Sequence, residues 1–398
     1  MRSLARLRSL LAPHPRLGRP DAGGSDSSPP ARLGFGARLP LVAAGVAAVA
    51  FPFVASPGKH FYGVLAVIYS LVALSLVVLT GWTGQISLGH AAFLGLGVYS
   101  GQRFLHAGVP FPAVLVVVGL ASAALSLVLA VPSLRLRGVY LAIVTLAFGA
   151  ACERYIFTLP FLRGQLASTV GRPSFFGIST ASDRNLYLVA LAVLALALVL
   201  VANLRRTDLG RVFLAVRDAE DAATALGVNL ARSKVIAFAI SAAMAGIAGV
   251  FYAVLFQATP APSQFGVLQS LFLLALPVVG GLEHPAGAVV GGALFAFAQP
   301  VCNAFGLRLF LVTGLLVIFV VLSRSDGITG LVRRFVTGFQ DALYGEAAAR
   351  YGSFVPEGVG GSSAGGNGVA HPRVHLDGPL PAGSRILVRL AAPAGGAS

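Results

Sequence analysis

The residues best equipped for recognition lie in one polar stretch, Arg205 to Lys234, set between two long apolar segments. From Arg211 to Gly227 it reads Arg-Val-Phe-Leu-Ala-Val-Arg-Asp-Ala-Glu-Asp-Ala-Ala-Thr-Ala-Leu-Gly. Phe213, Val216, Ala223 and Leu226 recur at roughly helical spacing, Arg217 and Asp221 stand four residues apart, and Gly227 is a natural helix stop. The stretch predicts a short helix in the aqueous phase. Its arginines would suit a helix resting on lipid headgroups, but Asp218, Glu220 and Asp221 would be repelled by anionic lipid, so a protein groove is the better match.

A second polar cluster lies within an apolar region. Gly84-Gln85-Ile86-Ser87-Leu88-Gly89-His90-Ala91-Ala92-Phe93-Leu94-Gly95-Leu96-Gly97 mixes small residues with Gln85, Ser87 and His90, which a lipid-facing helix would avoid. Small residues let helix backbones approach closely, and Gly89, Gly95 and Gly97 also permit a local break toward a cavity. Plain helix packing around a hydrogen-bonded His90 is the equal alternative. A second glycine-rich region, Gly280-Gly281-Leu282-Glu283-His284-Pro285-Ala286-Gly287 with Gly291-Gly292, predicts a tight turn between two spans and a further close helix contact.

Catalytic and metal readings find little support. Glu283 and His284 lack a third partner for a metal or acid–base site, and His60, His90, His106 and His284 are scattered without ligand spacing. Cys152 and Cys302 sit in apolar surroundings and suggest neither a disulfide nor a thiolate site. No G-x-x-x-x-G-K-[ST] phosphate loop occurs, so the chain is not expected to bind or hydrolyse ATP itself. We expect no catalytic residues, no metal and no cofactor of its own.

The elements that must position these residues follow from composition. The 398-residue chain is 56% hydrophobic and 11% charged, with mean hydropathy +0.83, which marks a polytopic membrane protein. Spans of about 20 apolar residues should be helices, since lipid leaves backbone groups without partners. We expect an all-α membrane bundle of about ten spans, near 40–57, 61–81, 84–103, 111–131, 138–159, 186–203, 234–257, 265–281, 287–304 and 307–323. Residues 1–39, with seven arginines among Pro, Gly and Ser, read as a basic disordered cytoplasmic tail. Residues 324–398 read as a second, largely disordered one. The transmembrane domain then covers 40–323, with 204–233 as a cytoplasmic loop. Arginines at 135, 137, 205, 206, 211, 217, 232, 324, 333 and 334 favour both termini inside, although Arg163, Arg172 and Arg184 fall on the other side. The formal charge of +15 is spread over tails and loops rather than gathered in a patch, which argues against nucleic acid as a partner.

Several stretches carry a family resemblance. Asp221-Ala222-Ala223-x-x-x-Gly227 resembles the Glu-Ala-Ala-x-x-x-Gly coupling motif of ABC-importer permeases, with Asp in place of Glu. Gly84 to Phe93, Tyr140 to Phe148, Val279-Gly280-Gly281-Leu282 and the segment Lys234 to Tyr252 resemble, in the same order, signature stretches of the branched-chain amino acid permease family, over about residues 60 to 323. The resemblance implies a subunit in a bacterial plasma (inner) membrane. Its implied partners are a second permease subunit, two cytoplasmic ATP-binding subunits and an extracytoplasmic solute-binding protein, with ATP bound by the partners. It also implies ATPase contact by Arg217, Glu220, Asp221, Ala222, Ala223 and Gly227, and a translocation pathway lined by Gln85, Ser87, His90 and Thr145. Gly84, Gly89, Gly95, Gly280 and Gly281 are expected at packing or hinge positions. The family's Gly-rich outer loop survives only as Thr169-Val170-Gly171, and Glu283 stands where Gly is usual.

Two alternatives set the limits of this reading. An ion-coupled secondary transporter would place paired charged residues inside its spans, and only Glu153 beside Arg154 comes close. Within the family itself, urea or short amides are alternative solutes.

Overall fold

The computed structural model describes residues 35–133, 138–163, 172–175, 178–179, 182–305 and 309–322, all within one compact unit, Met1–Asp341. Residues 1–34 and 323–398, Arg135, Arg137 and Thr169-Val170-Gly171 lie outside the described residues.

The regular structure of the described residues is helical apart from a two-residue antiparallel ladder that pairs Ser174 with Ser179 and Phe175 with Ile178. Its long helices are α1 (Phe35–Val54), α2 (Pro57–Leu76), α3 (His90–His106), α4 (Phe111–Ser133), α5 (Val139–Arg154) and α6 (Asp183–Arg206). Two short helices follow, α7 (Asp208–Asp218) and α8 (Glu220–Ala225), and then α9 (Leu230–Phe256), α10 (Val267–Gly280), α11 (Pro285–Ala304) and α12 (Leu309–Leu322). A helix falls within each of the ten expected spans. Seven stretches among the described residues are long and apolar enough to cross a membrane, from Gly58–Gly81 through Pro285–Ala304. The chain is a multi-pass membrane protein.

Local sequence sets the helix boundaries. Pro57 and Pro285 open α2 and α11 at positions where a missing N–H costs nothing. Ser182, Thr207 and Asn229 cap α6, α7 and α9, their side chains accepting from the backbone N–H of Asn185, Gly210 and Arg232. Gln257 closes α9 in the left-handed region, at φ 52°.

The core forms around α2 and α9. The apolar window of Gly58–Gly81 is 94% buried, so this span is enclosed by protein rather than lipid. Helix α9 packs on α2, α3 and α4, while α11 and α6 pack on α2. Small residues make the closest crossings: a Cβ at Gly97 of α3 would land on the Gly246 carbonyl of α9 and within 2.9 Å of the Gly249 Cα. At the end of the bundle away from α7, the Tyr99 hydroxyl donates to the Pro260 carbonyl at 2.7 Å, and the Tyr99 ring stacks on Phe157 with centroids 4.9 Å apart.

Two expectations need correction. The span placed at 84–103 does not begin as a helix: α2 ends in a π-helical turn, Val77–Gly81, and residues 84–89 are non-helical before α3 starts at His90. Gly84, at φ 69°, turns the chain out of the helix, and the segment's backbone finds partners elsewhere. Gln85 N–H donates to the Leu79 carbonyl at 3.3 Å and its own carbonyl accepts from the Thr80 hydroxyl at 3.0 Å. The single short helix expected between Arg211 and Gly227 is two, because Ala219 takes an extended conformation (φ −155°, ψ 82°) between α7 and α8.

The α3–α9 crossing yields a prediction. Gly97→Val should destabilise the purified protein in detergent by about 1–3 kcal/mol through overpacking. Gly58→Ala, which meets nothing within 4 Å, should stay within about 0.5 kcal/mol of wild type. Thermal unfolding midpoints check both.

Candidate functional site

Two adjoining features form the candidate site: the α7–α8 pair and the gap at residues 84–89. Phe213 and Val216 are buried and seat α7 on the bundle, while Ala223 seats α8. Glu220 forms an ion pair at 2.6 Å with Lys234 of α9, whose side chain is only 5% exposed. Asp218, Asp221, Ala222, Ala225 and Gly227 remain exposed. Gly227, at φ 86°, terminates α8, and the Val228 N–H reaches back to the Ala223 carbonyl at 3.0 Å. Leu226 is 86% exposed, a large apolar side chain standing clear at the tip.

Arg217 turns back into the chain. Its guanidinium donates to the Gly81 carbonyl at 2.7 Å and to Glu283 Oε1 at 2.6 Å. The Glu283 backbone carbonyl accepts from Trp82 Nε1 at 3.2 Å and from Arg205 at 3.1 Å, and the Arg205 guanidinium lies 5.7 Å from the Trp82 ring centroid. The ends of α2 and α6, the start of the gap, α7 and the α10–α11 turn therefore meet at one point. The Arg217 hydrogen bond holds the Glu283 carboxyl below its ordinary range, against the smaller opposing effect of burial.

The gap itself is enclosed. Thr145 of α5 braces it: its hydroxyl accepts from the Leu88 N–H and donates to the Ala142 carbonyl, both at 2.9 Å, and a Cβ at Gly89 would land on the Thr145 carbonyl. Ser75 Oγ lies 2.6 Å from the Val72 carbonyl and 2.7 Å from His90 Nε2. The hydroxyl has one proton, and the carbonyl can only accept it. The Ser75 Oγ therefore receives a hydrogen from Nε2, and Nδ1 is left without a hydrogen bond among the described residues. The Ser75 carbonyl accepts from the Ser241 hydroxyl of α9 at 2.8 Å, and the Ala91 N–H donates to Ser270 of α10 at 3.2 Å.

Three polar side chains of this short stretch lack complete partners among the described residues. Both amide atoms of Gln85, the Ser87 hydroxyl and His90 Nδ1 are buried without a hydrogen bond. Each such group costs about 1–3 kcal/mol. All three lie within the six residues from Gln85 to His90.

The structure thus brings Gln85, Ser87, His90 and Thr145 to one place and gives Thr145 a bracing position. Of the six residues read as ATPase contacts, Arg217 and Glu220 engage partners within the chain and Ala223 is buried; Asp221, Ala222 and Gly227 face outward. Gly84 and Gly281 occupy positive-φ turns, Gly95 lies against Phe157 and Phe265, and Gly280 lies against Gly287. Sequence reasoning missed Ser75, Ser241 and Ser270. Their signal was a hydroxyl in mid-span, which is too common to stand out. It also missed the pairing of Glu283 with Arg217, which no local pattern announces. Among the described residues no three His, Cys, Asp or Glu side chains converge on a metal position.

The chain matches the family described as branched-chain amino acid transport system / permease component over residues 61–322. It is 33% identical over 337 residues to the high-affinity branched-chain amino acid transport system permease protein LivM of Escherichia coli (strain K12), covering 78% of this chain and 79% of that protein. It is 26% identical over 284 residues to the probable branched-chain amino acid transport permease protein LivH of Methanocaldococcus jannaschii, covering 68% of this chain and 82% of that protein. A shorter match, 30% over 169 residues, covers 42% of this chain and 44% of an autoinducer 2 import system permease protein, LsrC, of Escherichia coli O9:H4. No solved structure matches it.

The lowered carboxyl of Glu283 sets a pH dependence. The ionised side chain adds stability above its ordinary value of 4.5, and that contribution is lost as pH falls through the depressed folded value. The unfolding midpoint of wild type should therefore exceed that of Glu283→Gln at pH 7. The gap between the two should close progressively as the buffer is taken below pH 4.5.

Proposed function

The chain belongs to the branched-chain amino acid transport system permease family, and we propose that it imports branched-chain amino acids across a bacterial plasma membrane, driven by ATP that partner subunits bind. In this reading it pairs with a second permease subunit, two cytoplasmic ATP-binding subunits and an extracytoplasmic solute-binding protein, and both termini are cytoplasmic. The observation that carries the reading is the α7–α8 pair: it is seated on the bundle by one face and leaves Asp221, Ala222 and Leu226 exposed on the other. An apolar residue standing in water beside acidic ones suits a protein groove with basic character.

The solute's charge class has separate support. Inside their first and last two turns the described helices carry no Asp, Glu, Lys or Arg. A path with neutral polar groups suits a solute with no net charge, such as a zwitterion with an apolar side chain, and offers no paired charges for ion coupling. Gln85, Ser87 and His90 Nδ1 are the groups we assign to the solute, because each is otherwise unsatisfied; Thr145 holds the segment in place.

Leucine uptake into membrane vesicles containing the chain and its partner subunits tests the proposal. Asp221→Arg and Leu226→Asp should each lower ATP-driven uptake about tenfold or more, with the subunit still inserted. Gln85→Leu should weaken uptake while leaving the ATP-binding subunits attached. Uptake indifferent to ATP and to these substitutions, but driven by an imposed proton or sodium gradient, would overturn the reading in favour of a secondary transporter.

A further inference from the structure

We propose that Arg217 is a positioning residue that, with Glu283, joins the docking helix α7 rigidly to the start of the gap, so that movement of α7 reaches the unsatisfied segment directly. The inference rests on the importer reading above and adds the route by which ATPase movement is passed on. Two ion pairs among the described residues anchor α7 and α8. Glu220 with Lys234 ties α8 to α9, which runs past the gap as one unbroken helix. Arg217 ties α7 to the turn that leads into the gap. Its guanidinium caps the Gly81 carbonyl at the end of the π-helical turn, where a cation is favoured, and its second branch holds the Glu283 carboxylate.

The geometry leaves little slack. A Cβ at Gly81 would land on the Leu282 carbonyl, so the end of α2 and the α10–α11 turn are in backbone contact. A Cβ at Gly84 would lie 3.5 Å from Arg217 Cγ and 3.7 Å from its Cα, which puts the first residue of the gap directly beneath α7. The Glu283 carbonyl is held in turn by Trp82 and Arg205. Arg217 bridges both contacts, one nitrogen of its planar fork on the Gly81 carbonyl and the other on Glu283; a lysine in its place keeps the charge but brings a single nitrogen on a flexible stem, without the fork's fixed geometry.

The test uses vesicles holding the chain with its partner subunits, loaded with ATP. Leucine uptake and ATP hydrolysis are measured together for wild type, Arg217→Lys, Arg217→Glu, Glu283→Arg and the double reversal Arg217→Glu with Glu283→Arg. We expect uptake per ATP hydrolysed to fall about tenfold or more in the single reversals, with the ATP-binding subunits still co-purifying. Arg217→Lys should fall between, and the double reversal should recover part of the loss. Unchanged uptake per ATP in Arg217→Lys and Arg217→Glu overturns the inference. So does a loss of uptake that merely follows loss of the ATP-binding subunits, which would make Arg217 part of the docking surface. Wild-type uptake that ignores ATP overturns the importer reading itself, whereas ATP-driven wild-type uptake with unaffected variants removes the Arg217 inference alone.

Discussion

The backbone of residues 84–89 has to be satisfied without helix and without lipid, and the interior of this protein is arranged around that requirement. Hydrocarbon offers no partner to a free N–H or carbonyl, so an interrupted helix survives only where neighbouring protein supplies one. Here Leu79 and Thr80 serve Gln85, Thr145 serves Leu88, and Ser270 serves the first turn of α3. The helices that surround the gap are placed where these contacts can be made. The enclosure of α2 follows from the same constraint, since the chain must enter the gap from a helix already shielded from lipid.

Close approach is the second requirement, and glycine supplies it. The α3–α9 crossing brings Gly97 against Gly246 and Gly249, the α10–α11 pair brings Gly280 against Gly287, and Gly292 of α11 meets the backbone of Ser70 in α2. In a membrane, where burying apolar surface between helices gains little over lipid, van der Waals contact at such crossings carries more of the association. Larger residues would separate the helices and with them the hydroxyls that serve the gap.

Hydropathy made the architecture readable, because a window of about 20 apolar residues is a direct imprint of bilayer thickness. The break before His90 was less visible, since an enclosed non-helical segment has the same composition as a buried helix; Gly84 and Gly89 hinted at it without fixing its length. Leu226 shows how periodicity fails. Its spacing from Phe213 and Val216 placed it on the apolar face, but the extended Ala219 resets the helical phase and leaves it in water. The Arg217–Glu283 contact spans 66 residues and belongs wholly to tertiary structure. The polar residues of the gap could be named from the sequence, whereas the engagement of His90 Nε2 depends on Ser75, an ordinary serine in an apolar helix.

The uncharged middle of the described spans has an electrical consequence. A formal charge moved across a membrane potential exchanges about 2.3 kcal/mol per 100 mV, enough to bias any conformational change that carries one. The His90 Nε2 hydrogen is committed to Ser75, and the ion pairs of Arg217 and Lys234 sit at the helix ends, near the edge of the field. Among the described residues the middle of the spans therefore offers a membrane potential no Asp, Glu, Lys or Arg to act on. A shift of that middle would exchange no energy with the membrane potential through such a residue.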